Sequence, residues 1–141
     1  MGTEKNAPKL PETVVRQAAL LKALADPTRL MIFKLLLGRK YCGQALAACL
    51  GVSEAAICQH AKKLTAAGLI FTEKYGYHTH YVADRDALAQ LGESLCLLQN
   101  TPLVGDGQCH CSKECRDCRC IGPLAEWYPE YAEGSSDNGT V

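Results

Sequence analysis

The stretch that decides the fold is residues 53–68, which read SEAAICQHAKKLTAAG. Ser53 is a favourable N-cap, because its hydroxyl can accept a hydrogen bond from a free backbone N–H of the first helical turn. Gly68 suits a left-handed C-cap that ends the helix. Between them, apolar side chains recur at helical spacing and predict one buried face, made of Ile57, Ala61 and Leu64.

A shorter helix is expected at residues 43–50, joined to the Ser53 helix by a tight turn at Gly51 and Val52. Two helices in this arrangement are typical of a helix-turn-helix, whose second helix enters the major groove of DNA. The face opposite the buried one carries Ala55, Cys58, Gln59, Lys62 and Lys63, with His60 at its margin. An ordinary amphipathic helix with solvated lysines would show the same local pattern. Features elsewhere in the chain are therefore needed to distinguish it from a DNA-reading helix.

The distribution of charge favours a nucleic-acid partner although the formal net charge of the chain is zero. Residues 1–83 contain eleven Lys/Arg and five Asp/Glu, a difference of +6. Residues 84–141 contain four Lys/Arg and ten Asp/Glu, a difference of −6. The basic half includes the Ser53 helix and suits neutralisation of DNA phosphates.

The chain has 141 residues, 48% of them hydrophobic, enough for one domain with one core. We find no secretory signal in the polar residues 1–10 and no apolar run long enough for a membrane span. The expected location is therefore the cytoplasm, where thiols stay reduced. Nine cysteines in that setting indicate metal or redox chemistry more readily than structural disulfides.

Two helices are expected before the helix-turn-helix, after a flexible arm at residues 1–11. The first spans about residues 12–24, and its predicted apolar face consists of Val14, Ala18, Leu21 and Ala25. This face is expected to serve either core packing or a dimer contact. The second begins at Asp26 and Pro27, an N-cap followed by proline at the first helical position. Its sequence, TRLMIFKLLLG, is apolar nearly all round, which predicts a central, buried helix. Arg39 and Lys40 follow at its negative end, where cations are favoured.

After residue 69 the pattern changes to that of a β-hairpin, LIFTEKY and HTHYVA, with a turn near residues 75–77. A hairpin directly after a helix-turn-helix is a wing, and Lys74 and His78 near its tip are candidate contacts for the minor groove or for backbone phosphates. A surface hairpin without a partner is the alternative.

A last helix is expected from Asp84 or Asp86 to about residue 100. It carries a leucine seam of the coiled-coil type, made of Leu88, Leu91, Leu95 and Leu98. Because little of the chain remains to cover this seam, we expect a second subunit to cover it, and a homodimer would also fit a reader of two half-sites.

Together, the segments LLKALADPTRLMIFKLLL, VSEAAICQHAKKLTAAGLI and HYVAD resemble the ArsR/SmtB family of winged-helix repressors over residues 12–100. The resemblance implies a mainly α, dimeric winged helix-turn-helix with a small β-hairpin, which holds operator DNA until an effector binds. It implies no enzyme activity, and no catalytic motif stands out in the sequence. The family's groove-reading positions fall on Glu54, Ala55, Cys58, Gln59 and His60. With Ser53, Lys62 and Lys63 they are the candidate DNA contacts of this helix.

The family's known effector sites do not carry over to this sequence. The arsenic-type CxCxxC pattern at the start of the short helix matches only at Cys42, because Gln44 stands in the second place and the third is not cysteine either. The zinc-type site needs histidines on the last helix, and residues 87–100 contain none. The cadmium/lead-type site would need cysteine where Lys63 stands.

The remaining candidate is a thiol cluster in the irregular tail, residues 101–141. Its predicted metal ligands are Cys109, Cys111, Cys115, Cys118 and Cys120. Thiolates prefer soft ions, so a three-sulfur pocket would suit As(III), Sb(III) or Pb(II) and a tetrahedral one Zn(II) or Cd(II). Two alternatives stay open: a redox or persulfide sensor that uses Cys42 and Cys96, and a permanent zinc knot that only orders the tail.

Overall fold

The structure is a computed structural model that describes residues 10–103, 106 and 108. The elements are α1 (Glu12–Leu24), α2 (Pro27–Gly38), β1 (Tyr41–Cys42), α3 (Gly43–Leu50), α4 (Glu54–Ala66), β2 (Ile70–Tyr75), β3 (His78–Ala83) and α5 (Arg85–Leu98). They all belong to a unit that ends at Gln99. The arm at residues 1–9 and the five tail cysteines lie outside the described residues.

Side-chain caps begin three of the helices. The sequence predicted the caps of α2 and α4, and it left two candidates for the cap of α5. The backbone N–H of Arg29 donates to Asp26 Oδ1 over 3.0 Å at the start of α2. The N–H groups of Asp86 and Ala87 donate to Asp84 Oδ1, so Asp84 rather than Asp86 caps α5. The Ser53 hydroxyl caps α4 in the same way. These contacts satisfy backbone donors that have no partner within the helix.

The core lies between α2, α3, α4 and the start of the sheet. Its fully buried side chains are Ile32, Phe33, Leu46, Ile57, Leu64 and Leu69. The central position predicted for α2 is therefore confirmed on one face. Its opposite face is not buried in this chain, since Leu30 and Met31 are exposed.

The apolar face predicted for α1 does not pack in the core, so of its two expected roles core packing is excluded and a dimer contact stays a prediction. Ala18, Leu21 and Ala25 are exposed, whereas Ala23 is buried and Leu20 and Leu24 pack against the core. Because leucine stands at both positions 20 and 21, the sequence allowed two neighbouring apolar faces. The face with Leu20 and Leu24 is the one that contacts the core.

The sheet has three antiparallel strands in the order β1-β3-β2, one strand more than the predicted hairpin. The hairpin itself is confirmed, with the register running from Ile70 opposite Ala83 to Tyr75 opposite His78. Gly76 in the turn has φ 61°, a left-handed conformation that favours glycine. The missed strand β1 pairs with β3, placing Tyr41 opposite Tyr81 and Cys42 opposite His80.

Arg39 and Lys40 follow the end of α2, as the sequence predicts, but a cation from another helix bonds to its last turn. The guanidinium of Arg85 at the start of α5 donates to the carbonyl of Leu37 in the last turn of α2. Arg39 instead stacks over the Tyr41 ring, 4.7 Å from its centroid, and Lys40 turns to the sheet. The negative end of α2 is thus held by a cation 48 residues away from its acceptor.

The leucine seam of α5 is covered by its own chain in its first half only. Leu91 is buried, and Leu88 is half-buried against the core. Leu95 and Leu98, the second half of the seam, are exposed, Leu98 by 56%, and so is the neighbouring Leu97. Among the described residues, no helix has the length and the apolar character that crossing a membrane would require.

Candidate nucleic-acid interface

The turn between α3 and α4 is fixed by backbone geometry. Gly51 ends α3 with φ 66°, and the N–H of Val52 donates to the carbonyl of Ala47 over 3.2 Å. This backbone bond bridges the end of α3 in the manner of a Schellman cap. Buried side chains of both helices, such as Leu46 and Ile57, then join in one core cluster. The pair is therefore a rigid helix-turn-helix rather than two independent helices.

Helix α4 separates a buried face from an exposed one. Ile57, Ala61 and Leu64 are buried, which confirms the predicted stripe. The sequence-predicted contacts on the other side that are exposed in the structure are Ser53, Glu54, Ala55, Cys58, Gln59, Lys62 and Lys63. Two lysines and an amide therefore project from the helix that the motif assigns to the major groove.

His60 differs from the other candidates because it is half-buried. It lies close enough to the start of α2 for its charge to act on Asp26. The pKa of the Asp26 carboxyl is lowered chiefly by the backbone N–H of Arg29, then by the charge of Arg29 and by that of His60. The structure thus places His60 at the edge of the α4 face, next to the core helix.

A shallow, open groove of about 440 Å³ separates α4 from the sheet. The residues that line it are Cys58, Ala61, Lys62, Thr65, Ala66, Thr72 and Tyr81. Burial, and then the neighbouring Cys58 side chain, raise the pKa of the Tyr81 phenol. Sequence reasoning missed this groove, because it depends on the register that puts Thr72 opposite Tyr81.

The two candidate contacts on the wing lie on opposite faces of the hairpin. Lys74 is opposite Thr79, whereas His78 is opposite Tyr75, and side chains alternate between faces along a strand. Lys74 therefore shares the face of Thr72, which borders the groove beside α4. Both Lys74 and His78 are exposed.

The outer face of the sheet holds an ionic cluster that the sequence did not reveal. Lys40 Nζ donates to Glu73 Oε2 over 2.7 Å and to the Tyr75 hydroxyl oxygen over 3.1 Å. The Tyr75 hydroxyl donates to Glu73 Oε2 over 2.8 Å. The hydrogen bond with Glu73 raises the pKa of the Lys40 ammonium, and its counterpart lowers the pKa of the Glu73 carboxyl.

The two thiols proposed for redox chemistry are free. Cys42 is half-buried in β1 opposite His80, and Cys96 is exposed on α5. In the part of the chain that the structure describes, no three His, Cys, Asp or Glu side chains are grouped to hold a metal ion. The five predicted tail ligands lie outside that part, so their grouping stays a prediction.

A helix-turn-helix followed by a β-hairpin, with cations exposed on both, defines a winged-helix protein of the DNA-binding class. Residues 26–71 match the family described as "Bacterial regulatory protein, arsR family". The nodulation protein NolR of Rhizobium meliloti is 30% identical over 95 residues, which span 62% of this chain and 78% of NolR. The chain belongs to the ArsR/SmtB family of winged-helix transcriptional regulators.

Solved structures agree with this assignment. An ArsR-like transcriptional regulator from Rhodococcus sp. RHA1 superimposes with a TM-score of 0.60 at 30% identity, over 64% of this chain and 85% of that one. A protein described as a possible transcriptional regulator for arsenical resistance gives a TM-score of 0.51 at 31% identity, over 60% of this chain and 97% of that one. These relatives are transcriptional regulators, and the family binds DNA.

Proposed function

We propose that this chain is a cytoplasmic, homodimeric repressor that leaves its operator when cysteine thiolates bind a soft metal or metalloid ion. The observation that carries the DNA-binding part is the exposed face of α4, where Gln59, Lys62 and Lys63 stand clear of the core. Amide side chains read base edges in the major groove, and lysines neutralise phosphates.

The charges of the interface support this role. Within the described residues, Lys62, Lys63 and Lys74 form no ion pair, since Lys40 and Glu73 make up the salt bridge found there. Unpaired surface cations release counterions when they meet DNA, and this release drives association. The wing lysine lies on the groove side of the hairpin, so all three charges belong to neighbouring surfaces of α4 and β2.

Dimerisation is supported by exposed apolar side chains on the first and last helices, which contact each other in the subunit. On α1 these are Val15 and Leu21, and on α5 they are Leu95 and Leu97. Leaving such side chains in water costs free energy that a second copy would recover. A dimer also provides two reading helices for two half-sites.

The thiolate switch rests on the tail sequence. CxC and CxxC spacings bring sulfurs to one ion at little cost in loop closure, and soft ions prefer thiolate ligands. The relatives' names point to different physiological inputs, arsenical resistance in one and nodulation in another, so family membership does not select the effector. The thiolate switch is therefore proposed from the tail cysteines and not from family membership.

The alternative input is oxidation or persulfidation of a thiol pair on the same fold. Cys42 and Cys96 are both free thiols, one before α3 and one near the end of α5. A bond between them would link the helix-turn-helix to the helix proposed for dimerisation. Under this alternative, peroxide or polysulfide releases DNA and metal ions do not.

The DNA-binding proposal is tested by selecting duplexes from a random pool and measuring affinity by fluorescence anisotropy. The protein should enrich a sequence with two half-sites. Gln59→Ala should reduce discrimination between the selected duplex and a scrambled one, since a side chain that reads a base edge contributes to specificity. Failure of the wild-type chain to bind any duplex at low salt would overturn the proposal.

The switch is tested on the selected duplex with As(III), Sb(III), Cd(II), Pb(II), Zn(II), peroxide and polysulfide. We compare the wild-type chain, a chain that ends at Thr101, and the Cys42→Ser and Cys96→Ser variants. Release by an ion in the wild type but not in the shortened chain supports the tail as sensor. An unchanged metal response in the shortened chain contradicts it. Zinc that remains bound to the tail, while added ions and oxidants leave DNA binding unchanged, indicates a permanent zinc knot.

A further inference from the structure

The cluster of Lys40, Glu73 and Tyr75 crosses the whole width of the sheet. Lys40 lies directly before β1, whereas Glu73 and Tyr75 lie on β2, and β3 separates these two strands. The 2.7 Å contact between Lys40 Nζ and Glu73 Oε2 therefore joins the two edges of the sheet over the central strand. No backbone ladder makes this connection, because β1 and β2 are not neighbours.

The two ends of the cluster differ in how firmly they are held. On the β1 side, Lys40 stands next to Tyr41, which packs against the core and carries the stacked Arg39. On the wing side, Glu73 and Tyr75 belong to the outer half of a hairpin whose tip is exposed. A two-stranded ribbon alone is marginally stable and twists readily. The cluster thus ties the outer half of the hairpin to a strand that packs on the core.

Tyr75 is held in this cluster on several sides. Its hydroxyl donates a hydrogen bond to Glu73, and its ring centroid lies 5.4 Å from Lys40 Nζ. The ring also meets the His80 ring edge-to-face at a centroid distance of 5.2 Å. His80 is on the central strand, so Tyr75 packs on β3 as well as bonding across it. Lys74, between Glu73 and Tyr75, projects from the other face.

We propose that Lys40, Glu73 and Tyr75 form a wing brace, a positioning contact that sets the angle of the hairpin relative to α4 and so places Lys74 against a DNA phosphate. The brace rests on the proposed DNA-binding function. It gives Glu73 a role opposite to the one its charge suggests. An acid near a DNA-binding surface repels phosphate, yet this acid supports binding by fixing the wing.

The direction in which one substitution changes duplex affinity therefore distinguishes the brace from simple electrostatics. Glu73→Gln removes a negative charge and frees the Lys40 ammonium, so Coulomb's law alone predicts tighter binding of the duplex. The brace predicts weaker binding, by about twofold to fivefold, the range that the coupling of an exposed ion pair allows. Tyr75→Phe removes the hydroxyl without changing charge, so electrostatics predicts no effect and the brace predicts a loss of similar size.

The experiment measures affinity for the selected duplex with Glu73→Gln, Tyr75→Phe and the double variant. Glu93→Gln on α5, on the side opposite the leucine seam, is the matched loss of one acid elsewhere. Because the three residues act as one unit, the double variant should bind no more weakly than Glu73→Gln alone. Hydroxyl-radical footprints should lose protection where the wing lies and keep it where α4 lies.

Binding by Glu73→Gln that equals or exceeds that of the wild type, or an unchanged affinity of Tyr75→Phe, overturns the brace while the proposed DNA binding stands. Absence of duplex binding by the wild type overturns both. A uniform loss of footprint in Glu73→Gln, over the α4 and the wing contacts alike, also contradicts a role confined to positioning the wing.

Discussion

The hydroxyl of Ser53 accepts a hydrogen bond of 3.1 Å from the backbone N–H of Ala56. This contact fixes the first turn of α4 and therefore the direction in which Gln59 and Lys62 leave the helix. Ser53 is itself exposed at the end of the helix that we assign to the major groove. Ser53 thus contributes to the stability of α4 and also forms part of the surface proposed to contact DNA.

Substitution of Ser53 separates these two contributions. Ser53→Ala removes the cap and should lower the free energy of unfolding by about 1 kcal/mol, measured by urea denaturation. Ser53→Asp keeps a good capping side chain and should unfold like the wild type, but it adds a negative charge facing phosphate and should weaken duplex binding. Equal duplex affinity of Ser53→Asp and the wild type at low salt would show that this end of α4 lies away from DNA.

Dimerisation should depend on the uncovered half of the leucine seam. Leu95→Glu places a charge where we expect the second subunit, and it should raise the dimer dissociation constant about tenfold or more, since burying a leucine contributes about 1.5–3 kcal/mol. Leu30→Glu on the exposed face of α2 is the matched control and should leave the dimer intact. Sedimentation equilibrium distinguishes them, and a monomeric wild type, or a Leu95→Glu variant as dimeric as the wild type, would contradict this interface.

The wing brace should persist over a wide range of pH. The pKa of Glu73 is lowered from its ordinary 4.5, so its contribution is complete above that value and is lost as the pH falls through the lowered pKa. The pKa of Lys40 is raised from 10.5, so its contribution is complete below that value and is lost as the pH rises through the raised pKa.

NMR of the Glu73 side-chain carboxyl carbon, recorded as a function of pH, checks this expectation. The Glu73 carboxyl should titrate below its ordinary value in the wild type, and Lys40→Met should move it back up. A Glu73 pKa at its ordinary value in the wild type would mean that the ion pair does not form in solution.

Local chemistry explains which parts of the fold could be predicted from the sequence. Pro27 after Asp26, Ser53 before α4 and Gly68 after it each act on their own turn, so the helix limits follow from neighbouring residues. The alternation around Gly76 likewise predicted the wing. These signals need no knowledge of distant segments.

The parts that were missed depend on contacts between distant segments. Strand β1 has two residues, too few for a period, and exists because β3 pairs with it. Lys40 finds Glu73 at a separation of 33 residues, where spacing gives no signal. For the site, helical spacing correctly predicted the exposed face of α4, whereas the groove at Tyr81 required the register of the sheet.

The most direct test of the account is the salt dependence of duplex binding. The logarithm of the association constant should fall linearly with the logarithm of salt concentration, with a slope of about −0.9 for each phosphate neutralised. Lys62→Ala and Lys63→Ala should each make the slope shallower by about 0.9 per contacting subunit, whereas Lys34→Ala, exposed on α2 opposite its buried face, should leave it unchanged. Identical slopes for all three variants and the wild type would contradict the assignment of α4 as the helix that binds DNA.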